Sequence, residues 1–141
     1  MVNDIIVNKV ATIERCVARA REEYNADPAT FATNHTRQDA AILNIQRACE
    51  AALDAGQYIV RLERLGVPQS ARDVFALLAQ GGWVDQPLAN SLQRMVGFRN
   101  LAVHDYQALQ IVIVMRIIQE HLDELLRYGQ ALLRREAHPK E

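Results

Sequence analysis

The sequence predicts an all-α fold, an up-and-down bundle of about five helices, and three observations predict it. Apolar residues recur at spacings of three and four along almost the whole chain, which is the period of one helix face. Alternation of β-branched residues is missing, and aromatics make up only 6% of the 141 residues. Pro28, Pro68 and Pro87 fall at the edges of the periodic runs. Long helices joined by short loops pack as antiparallel neighbours. With 50% apolar and 23% charged residues the composition excludes disorder and collagen. A chain of this length buries roughly 68–70% of its unfolded surface, so a core forms without disulfides or a structural metal. One domain over residues 1–141 is expected.

The first helix is expected over residues 3–24, with Ile6, Val10, Ile13, Val17 and Tyr24 on its stripe, stopping near Asn25-Ala26-Asp27-Pro28. A polar connection follows. The second runs over residues 36–65 on Ile42, Ile45, Cys49, Ala52, Gly56 and Ile59, and Gly66 before Pro68 is its expected stop. Gly56 beside Ala51, Ala52 and Ala55 reads as a close helix approach. Ser70 and Asp73 form a weak capping box for a short third helix through Gln80, ended by Gly81-Gly82, and Trp83 sits in the loop beyond. Pro87 opens a fourth helix carrying Leu88, Leu92 and Met95. The fifth is expected over residues 108–135, with Ile111, Met115, Ile118, Leu122, Leu125, Gly129 and Leu132 on its stripe. Two helices of such length suggest a homodimer.

Several function classes drop out. Cys16 and Cys49 lack C-x-x-C or His spacing and read as buried side chains in a reducing compartment, with cytoplasm the expected location. No signal region and no apolar run near the ~18 residues of a membrane span is visible, so the Asn34-His35-Thr36 sequon carries no expectation of glycosylation. Gly81-Gly82 lacks the features of a phosphate loop, and there is no Gly-x-Ser-x-Gly elbow. His121 with Asp123 and Glu124 lacks the paired Glu-x-x-His of a di-metal bundle and reads as a solvated helix face, so no metal or cofactor is expected. The net charge of −1 shows no broad footprint for duplex nucleic acid. Taken singly, Arg15, Arg19, Arg21, Arg134 and Arg135 read as solvated faces, and Arg94 is the best exception. The tail from Ala137 is expected to fray, His138 with it.

One place breaks the pattern. At about 100° per residue, Leu88, Leu92, Met95, Arg99 and Ala102 fall within about 40° of one direction, so Arg99 takes a core-facing slot. The stripe of the last helix lies about 140° away if the two helices are joined without a break, so the backbone must bend or break between them. Extended backward, that second stripe passes through Ala108 to His104. An Arg and a His are thus expected to point inward at one junction. A desolvated guanidinium costs several kcal/mol unless compensated, so the two residues read either as structural, the Arg paired with a carboxylate or neighbouring carbonyls and the His satisfied in the core, or together as the lining of a polar cleft.

The junction reads Arg99-Asn100-Leu101-Ala102-Val103-His104-Asp105-Tyr106, or R-N-x-x-x-H-x-Y. This resembles the signature of HEPN-domain ribonucleases, and the trailing Tyr makes it similar to the HepT-like toxins of bacterial toxin–antitoxin pairs. Chain length, helix order and motif position extend the resemblance over nearly the whole chain. The resemblance implies a homodimer whose paired motifs line a cleft and act as a metal-independent RNA endonuclease, with Arg99 and His104 catalytic and Asn100 shaping the site. It also implies a small nucleotidyltransferase antitoxin as partner, which transfers AMP onto Tyr106.

The residue types suit that chemistry. RNA supplies its own nucleophile in the 2′-hydroxyl, so the protein need only orient phosphate, stabilise charge and move protons. A guanidinium meets phosphate oxygens bidentately and stays protonated. An imidazole has both protonation states within reach near neutral pH. The alternative is a non-catalytic HEPN-like module that binds nucleotide or a nucleotidyltransferase, which the balanced charge favours.

Overall fold

The computed structural model describes residues 3–138. Of the tail expected to fray, residues 139–141 lie outside the described residues; Ala137 ends a helix and His138 follows it, exposed. Among the described residues every regular element is helical.

Helix α1 (Asp4–Asn25) starts where Asn3 accepts hydrogen bonds from the Ile5 and Ile6 N–H groups. It buries Ile6, Val10, Ile13, Cys16, Val17 and Ala20, the expected stripe with small residues added, except that Tyr24 at its end is only half-buried. The connection that follows is less polar than expected, because Phe31 in the 3₁₀ turn Phe31–Thr33 is fully buried edge-on against Tyr24. Asn34, the residue of the formal sequon, caps α2 (His35–Leu62) by accepting from the Arg37 N–H. The two helices run antiparallel. Asn3 donates to the Tyr58 hydroxyl at one end of the pair, and Arg37 donates to Glu23 at the other.

Helix α2 stops before the expected residue 65. Arg64 takes a left-handed conformation at φ 53°, the Leu65 N–H reaches back to the Val60 carbonyl, and the Arg64 N–H reaches Arg61. That is a Schellman stop with arginine in the position glycine favours. Gly56 does mark a close approach, since a Cβ there would lie 2.7 Å from Val74 Cγ1 and 3.1 Å from the Tyr128 hydroxyl.

Helix α3 (Ala71–Gln80) is capped by Ser70, while the Asp73 carboxylate accepts from the Gln69 N–H. Trp83 lies in the following loop as expected, buried under the Arg135 guanidinium. Helix α4 (Gln86–His104) is capped by Asp85, has Pro87 in its first turn, and buries Leu88, Leu92 and Met95.

The last helix begins at Ile111, not at residue 108. The chain breaks at Asp105, makes a 3₁₀ turn over Tyr106–Ala108, and is extended at Leu109 and Gln110. Helix α5 (Ile111–Arg116) then passes through a π-helical turn (Ile117–His121) into α6 (Leu122–Ala137) as one rod. A π turn inserts one extra residue. Val114 is therefore fully buried at the top of the rod where Met115 was expected, and Met115 is only half-buried. Below the turn Leu122, Leu125 and Leu132 hold the expected stripe. Counting the rod as one helix, the described residues form a five-helix bundle, with α1, α2 and α6 packed together and α3 and α4 laid against α2.

Candidate functional site

The break after α4 brings the motif residues to one corner of the bundle. Arg99 sits on the inner side of α4, its side chain 18% exposed, with Nε 3.0 Å from Glu50 Oε1 on α2. The Nε atom is buried and its N–H is not aimed at the carboxylate, so the pair is a charge contact without an aligned hydrogen bond. The guanidinium remains half-buried, with Glu50 the acid it faces.

Cys49 lies beside this pair. Burial, with a smaller push from Glu50 against a pull from Arg99, raises its thiol to about 12, and burial raises Cys16 as well. Both are free and buried, as expected, and neither is a nucleophile at neutral pH.

His104 does not point inward. It is the last residue of α4 and is exposed. The expectation failed because it carried the phase of the last helix backward across residues that are not helical. Five residues of α-helix separate Arg99 from His104 by about 140° around the axis and about 7.5 Å along it, so within one chain they face different directions. Asn100 is half-buried between them in sequence.

Tyr106 opens the 3₁₀ turn and is 43% exposed. Its hydroxyl donates to Asp39 Oδ1 at the start of α2. Desolvation, reinforced by the bond to Asp39 and its charge, pushes this hydroxyl up to about 12. Around the same junction Leu101, Val103, Val112 and Ile113 are all exposed.

Other candidates fall differently. Glu124 is buried and 2.7 Å from His121 Nδ1, so that pair is not the solvated face the sequence suggested. It borders a cavity of about 490 Å³ with Arg94, Phe98, Leu101 and Arg116. Arg19 is held by Glu22 and Glu23, Arg21 by Asp123, and Arg135 by the Gly82 carbonyl. Arg15 and Arg47 instead line a groove between α1 and α2 that reaches Glu50. Among the described residues no three His, Cys, Asp or Glu side chains gather where they could hold a metal ion, and no helix is long and apolar enough to cross a membrane.

Sequence reasoning missed Glu50 and Asp39. Both sit on α2, some fifty and nearly seventy residues before the motif side chains they meet, and no local spacing signals such a contact.

The whole chain resembles known proteins. A tri-AMPylated Shewanella oneidensis HEPN toxin in complex with MNT antitoxin superimposes with a TM-score of 0.87 at 48% identity, covering 92% of this chain and 97% of that one. A toxin–antitoxin structure with AMP-PNP gives 0.88 at 47% identity, covering 92% and 98%. A cytosolic Bacillus subtilis protein of unknown function shares the fold at 19% identity and a TM-score of 0.81, covering 99% of this chain and 96% of that one. In sequence, the chain is 49% identical over 126 residues to the mRNA nuclease HepT of Shewanella oneidensis, covering 89% of this chain and 94% of that protein. The model of the ribonuclease HepT-like family matches residues 13–132, and the chain belongs to that family.

Proposed function

We propose that this chain is the ribonuclease toxin of a toxin–antitoxin pair, cutting RNA without a metal ion, and that Arg99 and His104 are its catalytic residues. The observation that carries the reading is the intact R-N-x-x-x-H-x-Y run, set at a helix break in a chain of the HepT-like family. The 2′-oxygen of the RNA attacks the adjacent phosphorus, the bond to the 5′-oxygen breaks, and a 2′,3′-cyclic phosphate is left. Arg99 holds the phosphate oxygens as charge builds on them. His104, exposed at the helix end, moves the protons. Asn100 supports the site by donating to phosphate or imidazole.

A homodimer completes the site. A single imidazole cannot act as base and acid in the same step, and a two-fold pairing supplies a second. The exposed apolar residues beside His104 support this pairing. The partner that restrains the toxin is a nucleotidyltransferase antitoxin, which transfers AMP onto Tyr106, two residues from His104. Such a pair works in the cytoplasm, where its RNA is.

The test is cleavage of RNA in EDTA by purified protein. Arg99→Ala and His104→Ala should each abolish it, along with growth inhibition. Cleavage that persists in the double variant overturns the assignment. Beside the balanced charge, the engagement of Arg99 by Glu50 favours the non-catalytic alternative, and an inert unsubstituted protein would support it further.

A further inference from the structure

Tyr106 is an exposed residue whose hydroxyl is already bound to a carboxylate from another helix. Asp39 lies sixty-seven residues away in sequence and is itself exposed, at the first turns of α2. The contact ties the break between α4 and α5 to α2. A latch that merely held the 3₁₀ turn against α2 would not need a charged acceptor, since an amide oxygen accepts the same bond.

The chemistry of AMP transfer asks for more than a latch. A phenol held at about 12 keeps its proton at neutral pH, so the proton must leave as the new oxygen–phosphorus bond forms. The group in contact with that proton is Asp39. We propose that Asp39 is the general base for AMP transfer onto Tyr106, an inference that rests on Tyr106 being the acceptor. The Tyr106 oxygen bonds to the α-phosphorus of a nucleoside triphosphate held by the nucleotidyltransferase. The bond from that phosphorus to the α,β-bridging oxygen breaks, pyrophosphate leaves, and the phenolic proton passes to Asp39 Oδ1. One phenol takes one AMP, so any further unit on the same residue attaches through a ribose hydroxyl of the first, beyond the reach of Asp39.

The test follows intact mass with time, using the purified chain, ATP and an MNT antitoxin that modifies the unsubstituted chain. Asp39→Asn keeps an oxygen to accept the tyrosine bond and loses the basicity. It should slow the first AMP addition about 100-fold or more, with kcat falling while KM for the chain is unchanged. Asp39→Glu should recover part of the rate, which also shows that loss in the Asn variant is not misfolding. Addition of a second AMP to Asp39→Asn already carrying the first should run at the unsubstituted rate. A first addition at the unsubstituted rate in Asp39→Asn, or a loss confined to KM, overturns the inference. Equal AMP uptake by Tyr106→Phe and the unsubstituted chain would instead overturn Tyr106 as the acceptor.

Discussion

Tyr128 is the largest fully buried side chain, and its hydroxyl has one partner, the Ala52 carbonyl at 2.8 Å. Burial pushes that hydroxyl well above the usual tyrosine range. In the unfolded chain it titrates near about 10, so above that pH the folded state retains a proton that the unfolded state gives up. Stability from this residue is therefore intact below about pH 10 and declines as pH rises further. Tyr128→Phe removes the hydrogen bond, at a cost of about 0.5–1.5 kcal/mol near neutral pH. It should also flatten the alkaline decline, which urea midpoints between pH 8 and 11 would reveal. At this scale the sequence was informative where a residue sits inside a regular helix. Arg99 leans inward as its place on the α4 stripe required, whereas His104 ends the helix and no stripe reaches it. The acids that meet Arg99 and Tyr106 come from α2, and pairing across so many residues is a property of the packed bundle.

Helix ends tell the same story with a different cause. The start at Ser70 was legible because a capping side chain acts within three residues of itself, and the start of α4 because Pro87 favours a first turn. The stop of α2 was not, because Gly66 draws attention while Arg64 takes the left-handed turn. A left-handed residue with a side chain costs about 1–2 kcal/mol. Arg64→Gly should recover about 1 kcal/mol, less what the added freedom of glycine returns to the unfolded state. A raised thermal midpoint with unchanged helical signal is the expected result, and a lowered one would mean that the Arg64 side chain contributes contacts of its own. The π turn escaped notice for another reason. Residues 111–118 read IVIVMRII, so apolar that a stripe fits in more than one register, and periodicity cannot detect one inserted residue.

The near-zero net charge of the whole molecule suits the proposed ribonuclease, which needs few charges placed locally, since affinity built on long stretches of backbone grows with each phosphate neutralised. Apolar side chains also stand exposed around the junction. Leu101, Val103, Val112 and Ile113 are between 40% and 65% exposed at the junction that bears His104. Exposed large apolar side chains suit a contact surface, Leu101 and Ile113 line one cavity, and in the proposed homodimer a second copy covers this region. The site and the contact surface are then one structure. A charge set in the patch should separate the protomers and stop RNA cleavage while leaving Arg99, Asn100 and His104 in place. The pair Val112→Asp and Ile113→Asp tests this, since both side chains are on the outer face of α5, away from the fully buried Val114. Sedimentation should report a monomer, thermal unfolding should stay near that of the unsubstituted chain at equal protomer concentration or fall only by the loss of association, and cleavage should fall with the dimer. A dimer that persists with both aspartates present would move the interface elsewhere. A monomer that still cuts RNA would show that one His104 suffices, and that the two-fold cleft is no part of the chemistry.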